Sequence, residues 1–173
     1  MEAVVGEKLA LVRVALFPIE RSGPGQLSTM ARPRGGDWLL DEVEALGAAG
    51  VKVIVSLLTA SEAAELGLDS ESAVVTAAGM KFLSLPTPDR GLPHVPEFKS
   101  LLGELECALL TDHHVAVHCR KGIGRSSLVA AGLLVIEGLP VAAAWASVAR
   151  ARGLDVPDTD EQKRWLATVT ASS

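Results

Sequence analysis

Apolar residues along this chain gather into short runs set apart by polar, glycine- and proline-rich stretches. Runs at residues 9–17, 51–58, 80–85 and 115–117 are brief, partly β-branched and continuous rather than alternating. That is the pattern of strands covered on both faces. Between and after them the spacing predicts helices over 37–48, 61–66, 95–110, 125–137, 140–152 and 159–168. In the helix at 95–110, Phe98, Leu101, Leu102, Leu105 and Leu109 share one stripe and Cys107 falls on the opposite side. The apolar stretch 128–149 approaches the roughly 20 residues that span a bilayer, but Glu137, Gly138 and Pro140 divide it. Glycine suits the position just past a helix end and proline the first turn of the next, so two buried helices are expected there. Strands alternating with helices imply βαβ units. The expectation is an α/β fold: one domain over residues 1–173, with a largely parallel central sheet flanked by helices on both faces.

Composition narrows the function classes. At 173 residues and 49% hydrophobic content, the chain is long enough for one domain with a sizeable core. Sixteen Lys and Arg against 21 Asp and Glu leave a net charge of −5, which argues against a nucleic-acid or anionic-membrane partner and leaves room only for a local basic pocket. Cys107 and Cys119 are the only cysteines, too few for a disulfide framework or a four-cysteine zinc site, and they fit a reducing, cytoplasmic setting. Glu2, Glu7, Lys8 and Arg13 interrupt the N-terminal apolar run, which reads as a first strand rather than a leader or membrane insertion. No feature of the sequence fixes an oligomeric state.

Two segments are rich in turn formers. Residues 18–36 hold several glycines and prolines together with Arg21, Arg32 and Arg34, and read as a solvated connector whose arginines could rim a cleft. Residues 86–96 hold Pro86, Pro88, Pro93 and Pro96 around Asp89, Arg90 and Gly91. Loops placed by a rigid sheet are where chemistry usually sits.

The stretch HCRKGIGRSS, residues 118–127, joins the end of a central strand to the start of an apolar helix. Ligands bind at that end of an open α/β sheet, and the free amides and dipole of a helix start favour an anion there. Gly122 and Gly124 let the backbone curl so that the N–H groups of Arg120, Lys121, Gly122, Ile123, Gly124 and Arg125 line a cradle. The same donors stabilise a thiolate at Cys119 and make it nucleophilic. Arg125 offers a planar fork to two phosphoryl oxygens. Ser126 is placed to hydrogen-bond the sulfur, and His118 to orient the loop through backbone contacts. His113 and His114 diverge along a strand and do not make a metal site with His118. A rhodanese-type sulfur-transfer loop would enclose fewer residues and lack the Gly-x-Gly-Arg-Ser ending.

A leaving oxygen needs a proton, and a carboxylic acid on a loop can supply it. Asp89 is the candidate, while Asp112 lies before the strand, at the wrong end of the sheet. Thr159 to Gln162 has the form of a helix capping box.

The pattern His118-Cys119-x5-Arg125-Ser126 resembles the signature of the cysteine-dependent protein tyrosine and dual-specificity phosphatases. Within that group it resembles the small cyclin-dependent kinase inhibitor 3 type, over most of the chain. The resemblance implies a two-step reaction through a phosphocysteine, with no metal or other cofactor, on a phosphorylated protein or peptide. It implies Asp89 as general acid in a Pro-x-Asp context and Gln162 as a residue that helps place the hydrolytic water. The chain has no tyrosine, so it lacks the one that deepens the phosphotyrosine pocket of larger relatives. A shallower cleft, open to phosphotyrosine and to phosphoserine or phosphothreonine, is expected. Arg120 and Lys121 keep a phosphoinositide or other small phosphoester open as substrate. A module that binds phosphorylated partners without turnover is the alternative from another class, against which stand the retained nucleophile, arginine and acid.

Overall fold

The computed structural model describes residues 14–171. Its elements are β1 (Phe17–Pro18), β2 (Gln26–Met30), α1 (Leu39–Ala48, entered through a 3-10 turn at Gly36–Trp38), β3 (Val51–Ser56), α2 (Ala60–Glu65), α3 (Glu71–Ala77), β4 (Lys81–Ser84), α4 (Val95–Leu110), β5 (His114–His118), α5 (Arg125–Ile136), α6 (Val141–Arg152) and α7 (Asp160–Ala171). The five strands form one sheet in the order β1-β2-β5-β3-β4, parallel throughout except for the short β1, which runs antiparallel to β2. The expected α/β class, with a mostly parallel sheet, is what the structure shows.

Helices cover both faces because successive residues of each central strand point opposite ways. Val53 and Val55 of β3 and Val115 and Val117 of β5 join one apolar cluster with α4, α5, α6 and α7. Ile54 and Ala116 join the other, with Val43 and Leu46 of α1 and Val75 of α3. The central helix α5 has no polar face: every residue from Arg125 to Leu134 is buried. It lies so close to α4 that a Cβ on Gly132 would stand 2.9 Å from the Phe98 ring. On α4 the buried positions are Phe98, Leu101, Leu102, Leu105 and Leu109, and Cys107 is exposed, as the stripe predicts. Among the described residues no helix is long and apolar enough to cross a membrane.

One sequence expectation needs correction. Residues 18–36 are not only a connector, because they contain β2, an interior strand paired with β5 from Gln26↔His114 to Met30↔His118. The polar composition of QLSTM hides it. Ser28 is tolerated in the interior because its hydroxyl pairs with His114 Nε2 at 2.8 Å. The strand expected over 9–17 lies mostly outside the described residues, and within them only Phe17–Pro18 pairs. Helix α3 was not expected at all, since its consecutive β-branched Val74, Val75 and Thr76 carry no helical signal.

Candidate active site

Strand β5 ends at His118 and helix α5 begins at Arg125, so residues 119–124 form a tight turn at the carboxyl end of the central strand. Parallel strands on either side fix its base: the Leu57 amide donates to the His118 carbonyl at 3.0 Å, and the Arg32 amide to the Arg120 carbonyl at 3.2 Å. Gly122 needs to be glycine on two counts. Its φ is +72°, and a Cβ there would come within 2.7 Å of the Met30 backbone. The turn sits at the floor of a cleft of about 170 Å³ lined by Asp89, Arg90, Cys119, Arg120, Lys121, Gly124, Arg125 and Asp158. Thus Cys119, Arg125 and Asp89, separated by up to 36 positions, open onto one space. Gly122 and Ile123 put no side chain on it, since Gly122 has none and Ile123 packs against the core.

Cys119 is buried, with its Sγ 3.3 Å from Ser126 Oγ. Arg125, the largest fully buried side chain, is the best anchored group of the site. Its Nη1 and Nη2 donate to the two carboxylate oxygens of Glu62 at 2.7 and 2.9 Å, and Nη1 also donates to the Thr87 carbonyl at 2.7 Å. Nη2 reaches Asp89 Oδ1 at 3.4 Å. Burial by itself disfavours the guanidinium's charge. The bonded Glu62 carboxylate, with the negative groups at Cys119 and Asp89, outweighs that and raises the Arg125 pKa above its ordinary value. The partnership is reciprocal. The Arg125 hydrogen bond, against the opposing effect of burial and with help from the Thr59 amide, lowers Glu62 from 4.5 to about 2.

His118 stands behind the nucleophile. Its Nδ1 lies 3.2 Å from the Cys119 carbonyl, which only accepts, so Nδ1 carries a hydrogen. Its Nε2 lies 2.6 Å from Glu71 Oε1, and both groups are buried. The acid loop turns at Pro88, whose carbonyl accepts from the Gly91 amide at 2.8 Å, and this puts Asp89 at the apex with its side chain 61% exposed. Gln162 reaches that loop: its Nε2 donates to the Gly91 carbonyl at 3.1 Å, while its Oε1 accepts from the Thr159 amide and its own amide donates to Thr159 Oγ1. The capping box and a contact to the acid loop therefore coexist in one side chain.

Sequence reasoning missed Glu62, Glu71 and Asp158. Thr59-x-x-Glu62 carries a readable capping-box signal, and the box forms, yet the same carboxylate also holds Arg125. Nothing local marks Glu71, which belongs to the unexpected α3. Asp158 presses against Gly124, where an added Cβ would collide with its carboxylate. The arginines of residues 18–36 do not line the cleft. Arg21 pairs with Glu137, Arg34 with Glu42, and Arg32 donates to the Pro33 carbonyl. Asp112 is equally remote and accepts from the Gly25 amide at 2.9 Å. Among the described residues no group of three or more His, Cys, Asp or Glu is arranged to hold a metal ion.

Known structures share this arrangement of elements. Kinase associated phosphatase, solved with serine in place of its catalytic cysteine, superposes with a TM-score of 0.84 at 20% identity over 94% of this chain and 97% of its own. Tk-PTP in its active form gives a TM-score of 0.73 at 25% identity, over 90% of this chain and 97% of its own. The fold is that of the cysteine-dependent protein tyrosine and dual-specificity phosphatases. In sequence, cyclin-dependent kinase inhibitor 3 of Sus scrofa is 42% identical over 50 residues, which are 29% of this chain and about a quarter, 24%, of that protein. The family model described as Tc-R-P, polymorphic toxin system DSP-PTPase phosphatase, matches residues 28–139, and the chain belongs to this family.

Proposed function

We propose that this phosphatase is a phosphomonoester hydrolase that works without metal through a phosphocysteine, with phosphorylated proteins or peptides as substrates. The observation that carries the reading is the convergence of the Cys119 thiol, the buried Arg125 guanidinium and the Asp89 carboxyl group on one cleft. In the first step the Cys119 thiolate attacks phosphorus. The S–P bond forms as the P–O bond to the leaving group breaks, and Asp89 gives that oxygen its proton. Arg125 and the amides of residues 120–125 hold the three equatorial oxygens, where charge redistributes in the transition state. In the second step Asp89 takes a proton from water as the oxygen attacks phosphorus. The S–P bond breaks, orthophosphate is released, and Ser126 stabilises the departing thiolate. Gln162 positions the water and the acid loop together.

Phosphotyrosine is the favoured substrate group, with phosphoserine and phosphothreonine admitted by a shallow cleft that no tyrosine deepens. A polyanionic phosphoinositide is less well matched. The Arg120 guanidinium lies 3.9 and 3.6 Å from Glu62 and Glu65, which offset its charge, and Asp158 adds a negative group to the lining. The phosphatase reading takes residues 1–173 as one domain that acts in a reducing cytoplasm, where Cys119 stays a thiol.

The test is steady-state hydrolysis of para-nitrophenyl phosphate by freshly reduced wild type and Cys119→Ser, with a chelator present. Turnover by wild type that disappears in Cys119→Ser is the expected result. Turnover that survives in Cys119→Ser overturns the mechanism, and none in wild type points instead to a module that binds phosphorylated partners.

A further inference from the structure

A cradle for phosphate works only if its peptide planes face the right way, and in this loop they are held from outside. The Cys119 carbonyl accepts from His118 Nδ1, and the Arg120 carbonyl from the Arg32 amide. The next two carbonyls are both held by one side chain from another element, Arg152 in the last turn of α6. Its Nη2 donates to the Lys121 carbonyl at 3.2 Å and its Nε to the Gly122 carbonyl at 3.1 Å. The guanidinium also stacks on the Phe17 ring, 4.2 Å from the centroid, which steadies it from the β1 side. Its Nε and one Nη2 donor are committed to these two carbonyls.

The consequence follows from peptide geometry. Among the described residues the only cis bond precedes Pro157, so the loop peptides are trans. In a planar trans peptide the C=O and N–H point in opposite directions. Holding the Lys121 and Gly122 carbonyls on the outside therefore turns the N–H groups of Gly122 and Ile123 the other way. This stretch has most need of such a hold. Gly122, at φ +72°, and Gly124 carry no Cβ to restrict a peptide flip, and a flipped plane would aim a carbonyl oxygen at the anion. We propose that Arg152 is a positioning residue of the anion cradle, one that sets affinity for the phosphoryl group without touching it. The proposal rests on the phosphate-cradle part of the reading above and is tested without turnover.

The probe is inorganic phosphate, with its dissociation constant measured by calorimetry for wild type, Arg152→Met and Arg152→Lys, beside the Tm of each without anion. Arg152→Met removes the donors and keeps the stem, while Arg152→Lys keeps the charge and gives up the fork. The expected result is phosphate binding weakened about tenfold in Arg152→Met and about threefold in Arg152→Lys, the loss of one to two hydrogen bonds. A purely structural role would lower Tm and leave phosphate affinity alone, and that pattern overturns the proposal. Full recovery of affinity in Arg152→Lys also overturns it, because charge alone would then account for the effect. If Arg152→Met does not fold, Arg152→Lys decides between these outcomes. Wild type that fails to bind phosphate overturns both this proposal and the cradle. Wild type that binds phosphate but hydrolyses no aryl phosphate overturns only the enzymatic reading.

Discussion

Asp89 and Glu62 both approach the same guanidinium, yet they are built for different work. The Asp89 side chain is 61% exposed at the apex of a turn and meets Arg125 at 3.4 Å, whereas Glu62 is buried and bonded through both oxygens. The exposed Asp89 carboxyl group can reach a leaving group, whereas both Glu62 oxygens are committed to Arg125. Asp89→Asn should therefore lower kcat on an aryl phosphate with a poor leaving group by about 10²- to 10⁴-fold, with a much smaller loss on a good leaving group. A leaving-group series in both proteins checks this, and an unchanged slope would remove Asp89 from the proton transfer. Glu62→Gln leaves Arg125 buried without a full countercharge. It should cost about 3 kcal/mol in urea unfolding and raise KM, because the fork loses the carboxylate that orients it. Of these two residues only Asp89 was legible in the sequence. Turn formers mark its loop, while the meeting of Glu62 with Arg125 spans 63 positions and arises only when the sheet assembles.

At the scale of elements, legibility followed length and apolarity. Helix α4 shows its buried stripe residue by residue, and β3 and β5 stand out as β-branched runs. Strand β2 did not, because its place beside β5 is set by tertiary pairing and by the Ser28–His114 hydrogen bond rather than by hydrophobicity. The strand-to-helix turn that carries the nucleophile was readable because its glycines, its cysteine and the helix start all lie within ten residues. What holds that turn was not, since those contacts come from residues just past β2 and β3 and from α6. Helix α5 makes a sharper claim about packing. Gly132→Val would drive side-chain atoms into Phe98 and Leu102 and should destabilise the fold by about 1–3 kcal/mol. Chemical denaturation with an unchanged m value would confirm it, and an unaltered midpoint would mean that α4 and α5 separate easily.

The molecule as a whole should be acid-sensitive in two stages. Burial lowers the His114 pKa below 6.5, so the unfolded chain takes up a proton before the folded one does, and stability declines as pH falls through and below 6.5. Glu62 is held at about 2 against an ordinary 4.5. Its contribution, on the order of 3 kcal/mol, is complete above 4.5 and is lost as pH falls from there towards 2. Urea midpoints measured across this range should show both declines, and Glu62→Gln should flatten the lower one. A lower decline that persists unchanged in Glu62→Gln would place the acid-labile group elsewhere.

Asp89 and the strand-to-helix turn are held by largely different contacts, which meet at Leu57 and Arg125. The turn after Cys119 is gripped by residues just past β2 and β3 and by Arg152 of α6, whereas Asp89 rides on a turn joined to the rest through Gln162, Thr87 and the edge of Arg125. On the proposed mechanism, recognition and turnover would be separable by mutation. On that mechanism, a descendant that lost the carboxyl group at position 89 by one codon change would keep its receptor for phosphate, a single step from a lineage of readers that bind phosphorylated partners and leave them unaltered.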